Sequence, residues 1–376
     1  MSAQGDPAVV PWRWRSRLPR VDWGVVFWML AIKTVVLGFA AISVRTLFGD
    51  DFTLREMWNR WDAAHYLSLA QSGYTATGEE RFSLVLFPLY PWLVRALAAF
   101  FSWNFFASAL VISGLASIAA GLLLQRLTRL DASPVTARYA IWFLFIFPTS
   151  YFLHIGYAES LFLALVLGSV LAARTDRWPL AGVLGACASF TRVNGLILLP
   201  TLAVEAWQQY RANRHFDWRW LWIIGVGCGF AAYLSLNYYV AGDFFAFSQL
   251  QQEHWFKKLT PPWVGIHAVW LRIPGTNITE GLHEFCFILL GFVCTIWCSL
   301  RLRPSYAVWM TCNWLFITSI SFLISVPRYT LTFFPIFILF AQVATRRPLL
   351  GALLSLWSVA FLVLFATKFA HGTWAF

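Results

Sequence analysis

Residues 23–44 read WGVVFWMLAIKTVVLGFAAISV, an apolar run that predicts a membrane-spanning helix. At about 1.5 Å of rise per residue, a run of this length crosses the hydrocarbon core of a bilayer. It is too long for the core of a signal peptide, and no small-residue cleavage site follows it. Four arginines precede it: Arg13, Arg15, Arg17 and Arg20. We therefore predict an uncleaved anchor with residues 1–22 in the cytoplasm.

Ten further apolar runs follow this one, which predicts about eleven transmembrane helices. They lie near residues 104–124, 139–156, 159–173, 178–191, 194–208, 220–240, 285–300, 305–326, 329–342 and 348–368. The composition agrees, because 59% of the 376 residues are hydrophobic and only 12% are charged. An ordinary soluble domain has roughly a quarter of its residues charged. We predict an all-α polytopic membrane protein and exclude a soluble fold.

The net charge of +11 is explained by the arrangement of the arginines relative to the spans. With the N-terminus inside, the cytoplasmic turns contain the positive charges, in accordance with the positive-inside rule. These turns hold Arg126, Arg129, Arg138, Arg174, Arg177, Arg211, Arg214, Arg219, Arg301, Arg303, Arg346 and Arg347. The arginines are therefore topology signals, and no solvated basic face remains that could bind a nucleic acid.

The same topology leaves two long connections on the non-cytoplasmic face, residues 45–103 and 241–284. Long loops on one face usually carry function. No internal repeat and no Pro- or Ser-rich linker divides the chain. We predict a single membrane domain over residues 1–376, with its polar chemistry concentrated on the non-cytoplasmic side.

The six cysteines lie within or beside apolar runs, where a disulfide framework or a zinc ribbon is not expected. Cys294 and Cys298 are one helical turn apart, but we interpret them as small packing residues. No cofactor is firmly predicted, and a divalent cation is compatible with the sequence but not indicated by it.

The first long loop contains a short segment in which Asp62, His65, Tyr66 and Leu69 share one face of a helix. A carboxylate beside an imidazole could bind a sugar hydroxyl and remove its proton. Alternatively, the segment is an interfacial helix anchored by Trp61 and Tyr66, and its charges are merely solvated. The spacing alone leaves both interpretations open.

The stretch after this segment contains Pro88 and Pro91 on either side of Tyr90. The two prolines disfavour a regular helix there. An outward-to-inward span over residues 93–101 would place every later arginine on the wrong side. We therefore predict that this stretch lies along the outer surface.

Three charged residues at the outer ends of spans are further candidates. A carboxylate at membrane depth, Glu159, is costly and therefore a functional candidate, although an acid in the first turn of a helix is the alternative. Arg192 and Arg328 could hold a lipid-linked phosphate through bidentate hydrogen bonds. Their alternative is snorkelling to ordinary lipid headgroups.

Five blocks of sequence occur in an order that resembles a known family. They are Trp61-Asp62-x-x-His65-Tyr66 with Gly73-Tyr74, Phe87-Pro88-Leu89-Tyr90-Pro91, Tyr157-x-Glu159-Ser160-Leu161-Phe162, Arg192-x-Asn194-Gly195 and Pro327-Arg328-Tyr329. Together, over residues 58–340, they resemble the PIG-V (GPI mannosyltransferase II)-like family of the glycosyltransferase C superfamily, in a prokaryotic-type version. Each block alone would be weak, but five in one order form a specific pattern.

The resemblance implies a glycosyltransferase C-type fold and a transferase that uses a sugar, mannose, on a polyprenyl (dolichyl-type) phosphate. The acceptor would be a hydroxyl of a glycan or glycolipid, and the anomeric configuration would invert. By resemblance, Asp62 is the catalytic acid residue of the first loop, and we assign His65 either as its partner or as a hydrogen-bond donor to the sugar. The expected donor- and substrate-binding residues are Trp61, Tyr66, Tyr90, Tyr157, Glu159, Arg192, Asn194, Arg328 and Tyr329.

The second long loop departs from the family pattern. Phe244 follows Gly242-Asp243 where a proline is usual, and residues 247–255 are one residue longer than the family's spacing. That region could shape the choice of acceptor, so the acceptor of the GPI pathway is not carried over to this chain.

A transporter and a non-catalytic scaffold are the alternatives to a transferase. A transporter or flippase for a lipid-linked sugar should place polar groups at mid-bilayer and on both faces, and a non-catalytic scaffold would not group an acid, a histidine and two arginines. The one-sided grouping favours an enzyme in membrane lipid, with its site on the non-cytoplasmic face. The membrane would be the plasma (inner) membrane of a prokaryote or the endoplasmic reticulum of a eukaryote.

Overall fold

The computed structural model describes residues 22–48, 53–275 and 279–376. These residues form seventeen α-helices joined by turns, short 3₁₀ segments and one π-helical turn. In chain order the helices are α1 (Trp23–Phe48), α2 (Leu54–Trp58), α3 (Asp62–Ser72), α4 (Leu89–Ala98), α5 (Phe105–Arg129), α6 (Pro134–Ile146), α7 (Glu159–Arg174), α8 (Trp178–Ser189), α9 (Leu198–Asn213), α10 (Gly225–Ala241), α11 (Ala246–Trp255), α12 (Pro262–Arg272), α13 (Glu284–Arg301), α14 (Pro304–Thr318), α15 (Val326–Thr330), α16 (Pro335–Arg346) and α17 (Pro348–Ala370). The predicted cytoplasmic arginines Arg13, Arg15, Arg17 and Arg20 lie outside the described residues.

Each of the eleven predicted apolar runs contains one of these helices. Within the described ranges, five helical stretches are long and apolar enough to cross a membrane, the shortest of them 22 residues long. The other six runs hold shorter helices, α6, α7, α8, α9, α14 and α16, of 12 to 16 residues. The all-α membrane architecture is therefore confirmed.

Several predicted spans have different limits in the structure; the run 305–326, for example, was predicted as one span, but α14 ends at Thr318. Two others break where buried backbone interrupts the helix. The run 139–156 was predicted as one span, but α6 ends at Ile146 because Pro148 prevents the helix from continuing. The run 329–342 was predicted to be helical from its start, but α16 begins only at Pro335. In both places, irregular backbone folds inward and is buried among the helices. Irregular backbone is tolerated at membrane depth where protein surrounds it.

The prediction that Pro88 and Pro91 disfavour a regular helix here is wrong. Pro88 is the N-cap residue of α4, and Pro91 lies in its first turn. The first backbone N–H groups of a helix have no partner within it, so proline is tolerated at these positions.

Helices α8 and α10 cross at close range because both present glycine at the contact. A Cβ atom on Gly185 of α8 would lie 2.6 Å from Cγ2 of Val226, and one on Gly229 of α10 would lie 1.9 Å from the carbonyl oxygen of Ala186. Small residues that let helix backbones approach are typical of packing within membranes.

The helix bundle has two distinct ends. The end formed by α3, α4, α11, α12 and α15 is called the site end. Helices α5, α7, α9, α13 and α16 end at the opposite end, and each has arginine in its last turn. A partly buried ionic network lies there: Arg174 donates to Asp131 at 2.7 and 2.8 Å, and Arg303 donates to Glu205 at 2.9 Å.

Candidate active site

Asp62 lies at the start of α3, directly after Trp61, whose φ of +48° turns the chain into the helix. Its Oδ2 accepts a hydrogen bond of 2.7 Å from Nη1 of Arg328, which is 266 residues away in sequence. The Asp62 side chain is 30% exposed, whereas Arg328 is only 9% exposed. Burial alone would raise the pKa of Asp62, but the guanidinium of Arg328 and the nearby positive charges lower it below its ordinary value. Asp62 is therefore an ionised, partly accessible carboxylate at neutral pH.

Arg328 connects this carboxylate to a second one. Its Nε lies 3.3 Å from Oε1 of Glu159, the first residue of α7. Its guanidinium also lies 5.5 Å from the ring centres of Tyr157 and Tyr329. Cation–π contacts of this kind stabilise a buried guanidinium in addition to its ion pairs.

Glu159 accepts a second contact from Arg192, whose Nη1 is 2.5 Å from Oε1. The other carboxylate oxygen of Glu159, Oε2, is buried and has no hydrogen-bond partner among the described residues. An unpaired oxygen on a carboxylate that is 2% exposed is costly unless something else donates to it.

Asp62, Arg328, Glu159 and Arg192 thus form one continuous chain of ion pairs, called the charge cluster. Its two acids and two arginines come from four separate segments of sequence. The snorkelling interpretation of the arginines is not supported, because both lie within protein and pair with carboxylates. Glu159 fits both interpretations made from the sequence: it is an acid in the first turn of a helix, and it also belongs to the charge cluster.

Aromatic side chains form one wall of the cluster. The ring of Tyr66 meets Tyr90 edge-on at 5.1 Å and Tyr157 at 6.5 Å. Tyr157 donates from Oη to the carbonyl of Arg60 at 3.1 Å, and Tyr90 lies 2.9 Å from the hydroxyl of Ser113. Tyr66 is 4% exposed, so α3 packs into the protein and is not a freely solvated interfacial helix.

Three predicted site residues point elsewhere. His65 is exposed, and its Nδ1 lies 3.4 Å from the hydroxyl of Ser83, so no hydrogen bond joins it to Asp62. Asn194 is buried and donates to Asn313 at 3.3 Å. Trp61 packs against Phe369 and Trp374 near the C-terminus, with ring centres at 4.9 and 5.6 Å.

The structure adds Lys257, which the sequence analysis did not single out. Lys257 follows α11 and comes close enough for its charge to lower the pKa of both Asp62 and Tyr329. For Tyr329, burial opposes this effect, and Lys257 is the largest of the charges that outweigh it. A signal was present: only four lysines occur in the chain, and two of them, Lys257 and Lys258, are adjacent in the second long loop.

The segment around Lys257 is fixed to the loop that precedes Arg328. The amide of Thr260 donates to the carbonyl of Ser319 at 3.0 Å, and the amide of Ser321 donates to the carbonyl of Lys258 at 2.9 Å. The second long loop is therefore part of the site's framework. Within the described ranges, no three His, Cys, Asp or Glu side chains converge as metal ligands.

The chain resembles solved membrane-protein structures along most of its length. ArnT from Cupriavidus metallidurans bound to undecaprenyl phosphate aligns with a TM-score of 0.51 at 17% identity, over 93% of this chain and 72% of ArnT. ArnT in the apo state gives 0.51 at 18% identity, over 86% and 60% of the two chains. The Archaeoglobus fulgidus oligosaccharyltransferase, tethered to an acceptor peptide, gives 0.45 at 13% identity, over 92% and 55%.

The likeness to ArnT establishes the fold, which is that of the glycosyltransferase C-type membrane proteins. The prediction of this fold class is confirmed. No protein-family model matches the sequence, and no curated protein matches it either.

Proposed function

We propose that this chain is a polyprenyl-phosphate-sugar-dependent glycosyltransferase of the PIG-V-like type that transfers mannose to a hydroxyl of a glycan or glycolipid. The observation that carries the proposal is the charge cluster, in which a partly exposed carboxylate lies between cations at one end of a membrane bundle. The shared fold supports the lipid-phosphate donor, since ArnT binds undecaprenyl phosphate. The choice of mannose rests on the five sequence blocks.

Accessibility favours Asp62 over Glu159 as the base. The Asp62 side chain is 30% exposed and Glu159 is 2% exposed, so an acceptor hydroxyl reaches only Asp62. The lowered pKa of Asp62 keeps it ionised and able to take a proton at neutral pH. His65 would act at the rim, on the acceptor, because its hydrogen-bond partner is Ser83 and not Asp62.

The leaving group is a lipid phosphate, and cations are needed where its charge develops. The acceptor oxygen bonds to the anomeric carbon as the bond from that carbon to the phosphate oxygen breaks, and the proton passes to Asp62. Arg328, Arg192 and Lys257 would stabilise the departing phosphate, which gains one negative charge. Displacement from the opposite face inverts the anomeric configuration.

The unpaired oxygen of Glu159 suits a sugar hydroxyl. Oε2 is buried in the charge cluster without a donor, and a hydroxyl of the transferred sugar would supply one. Glu159 would then be a donor-binding residue, as the sequence analysis proposed, with Tyr66, Tyr157 and Tyr329 as the surrounding aromatic surface.

The arrangement of arginines supports a site on the non-cytoplasmic face. Five helices end away from the site, and arginine occupies the last turn of each. By the positive-inside rule, that end is cytoplasmic. The protein would then be embedded in the plasma membrane of a prokaryote, or in the endoplasmic reticulum of a eukaryote.

The direct test offers purified protein in lipid nanodiscs a series of radiolabelled polyprenyl-phosphate sugars together with lipid and glycan extracts of its host. We expect label to move from polyprenyl phosphate mannose into an acceptor. Transfer from a different sugar would correct the mannose assignment. Movement of labelled lipid across proteoliposomes without a covalent product would favour the flippase alternative.

A further inference from the structure

Glu284 is a fully buried carboxylate outside the charge cluster, at the start of α13. Its Oε1 accepts the backbone N–H of Ser325 at 2.6 Å, and its Oε2 accepts that of Val326 at 2.7 Å. Both carboxylate oxygens are therefore used on two consecutive amides of another segment. Arg272 of α12 brings a positive charge near Glu284.

The segment held in this way is the one that presents Arg328. Helix α15 has only five residues, and helices this short are not stable without tertiary contacts. Its N-cap, Ser325, has a φ of +69°, an unfavourable conformation for a residue other than glycine. The two hydrogen bonds to Glu284 offset that cost and satisfy N–H groups that would otherwise be buried and unpaired.

A second anchor acts on the next residue of the same turn. The hydroxyl of Thr149 donates to the carbonyl of Pro327 at 2.9 Å, and Thr149 is also fully buried. Glu284 and Thr149 thus hold residues 325–327 from two sides. Arg328 follows immediately and reaches Asp62 at 2.7 Å.

We propose that Glu284 is a positioning residue, which fixes the backbone of α15 so that Arg328 meets Asp62 and the donor phosphate. This inference rests on the proposed function, because it gives Arg328 a phosphate to hold. No hydrogen bond or ion pair among the described residues joins Glu284 to Asp62 or Glu159, so we expect its effect on transfer to pass through the segment that carries Arg328.

The test is a double-mutant cycle between Glu284→Gln and Arg328→Ala, with the KM for polyprenyl phosphate mannose as the readout. Glutamine keeps the size of the side chain but retains one acceptor oxygen, so one amide loses its partner. We expect Glu284→Gln alone to raise the KM by about tenfold. In the Arg328→Ala background it should change the KM by less than about twofold, because the residue it positions is gone.

A matched control separates positioning from general destabilisation. Glu205 is 2% exposed and ion-paired at the opposite end of the bundle, so Glu205→Gln disturbs a carboxylate of similar burial far from Arg328. It should leave the donor KM unchanged. Thr149→Val, which removes the second anchor and nearly keeps the volume, should raise the KM in the same direction as Glu284→Gln and serves if Glu284→Gln does not fold.

Hydrogen exchange supplies a readout that does not depend on catalysis. Glu284→Gln should speed exchange of at least one of the amides of Ser325 and Val326 by at least about tenfold, whereas Glu205→Gln should not. If the wild-type protein transfers no sugar, the function proposed above fails. The positioning of Arg328 can then still be tested, because the same double-mutant cycle can be measured on the binding of undecaprenyl phosphate by native mass spectrometry. The role of Glu284 would be overturned if the effects of the two substitutions on donor KM or donor binding multiplied in the double variant. It would also be overturned if Glu284→Gln left hydrogen exchange unchanged at both Ser325 and Val326.

Discussion

At the scale of single residues, the site depends on pairs that are remote in sequence. Asp62 and Arg328 were each candidates from the sequence, but their 2.7 Å contact spans 266 positions and only the fold brings them together. The sequence also placed His65 beside Asp62 by helical spacing. The helix formed as predicted, yet His65 turns toward Ser83, because i, i+3 spacing fixes a face and not a contact.

Replacing Arg328 tests the phosphate contact. Arg328→Ala should weaken donor binding by roughly one to two orders of magnitude, since a charge-assisted hydrogen bond contributes about 1.5–3 kcal/mol. The measurement is a titration of undecaprenyl phosphate against wild type and variant, followed by native mass spectrometry. Superimposable titrations would remove the phosphate role.

The pH dependence of transfer should respond to Lys257. Its charge helps to lower the pKa of Asp62, so Lys257→Gln should raise that pKa. A carboxylate base is active above its pKa, and the rate is lost as the pH falls through it. The acid limb of kcat/KM should therefore move to higher pH in Lys257→Gln.

Lys258→Gln is the control for that profile. Lys258 is the exposed neighbour of Lys257 and is not among the charges that lower the pKa of Asp62. Its substitution removes the same positive charge from the loop, so we expect the pKa of Asp62 to stay unchanged. Its acid limb should coincide with that of wild type. Equal profiles for both variants and wild type would show that Lys257 does not act on the base.

At the scale of elements, apolar runs predicted the helices well because membrane spans depend on length and hydropathy alone. The predicted helix ends were wrong where the buried backbone is not helical, as after Ile146 and before Pro335. Glu284 was missed for a related reason. A single acid at the edge of an apolar run carries no pattern, and its role depends on two backbone amides some forty positions away.

The contact between α11 and residues 79–85 should control where Lys257 lies. Phe82 stacks on His254 at 4.3 Å, and Arg81 pairs with Glu253 at 2.5 Å nearby. Phe82→Ala removes the stacked ring, which is worth about 0.5–1.5 kcal/mol beyond its buried area. We expect the donor KM to rise several-fold, as measured by steady-state kinetics.

Arg81→Ala provides the comparison at the same contact. The ion pair with Glu253 is exposed, and such pairs contribute about 0–1 kcal/mol. The variant should be nearly silent. If both variants behaved like wild type, the second long loop would not depend on this contact.

At the scale of the whole molecule, the distribution of arginines between the two ends of the bundle agrees with the position of the C-terminal residues. The C-terminal residues meet the first long loop, where Trp374 contacts Trp61 and Arg60 donates to the carbonyl of Ala370 at 3.1 Å. The eleven predicted spans, an odd number, would put the two termini on opposite sides, which predicts that the C-terminus shares the face of the first long loop. The acceptor was not predictable, since the second long loop departs from the family pattern where it borders the site.

Labelling of single cysteines tests the topology. Thr77 and Thr373 are both exposed at the site end, and cysteine at either position should react with an impermeant maleimide in intact cells. Cysteine at Arg214, near the opposite end, should react only after the membrane is opened. If Thr77→Cys were labelled and Thr373→Cys were not, the two positions would not lie on the same face of the membrane, and the one-sided site would be contradicted.

The most direct measurement of the central claim is the rate of sugar transfer by Asp62→Asn at saturating donor. Asparagine keeps the size of the side chain but cannot accept the proton, so turnover should fall by at least about 10²-fold. Undecaprenyl phosphate should still bind, because Arg192, Lys257 and Arg328 remain. A folded Asp62→Asn protein that keeps more than about a tenth of wild-type turnover would contradict the assignment of Asp62 as the base.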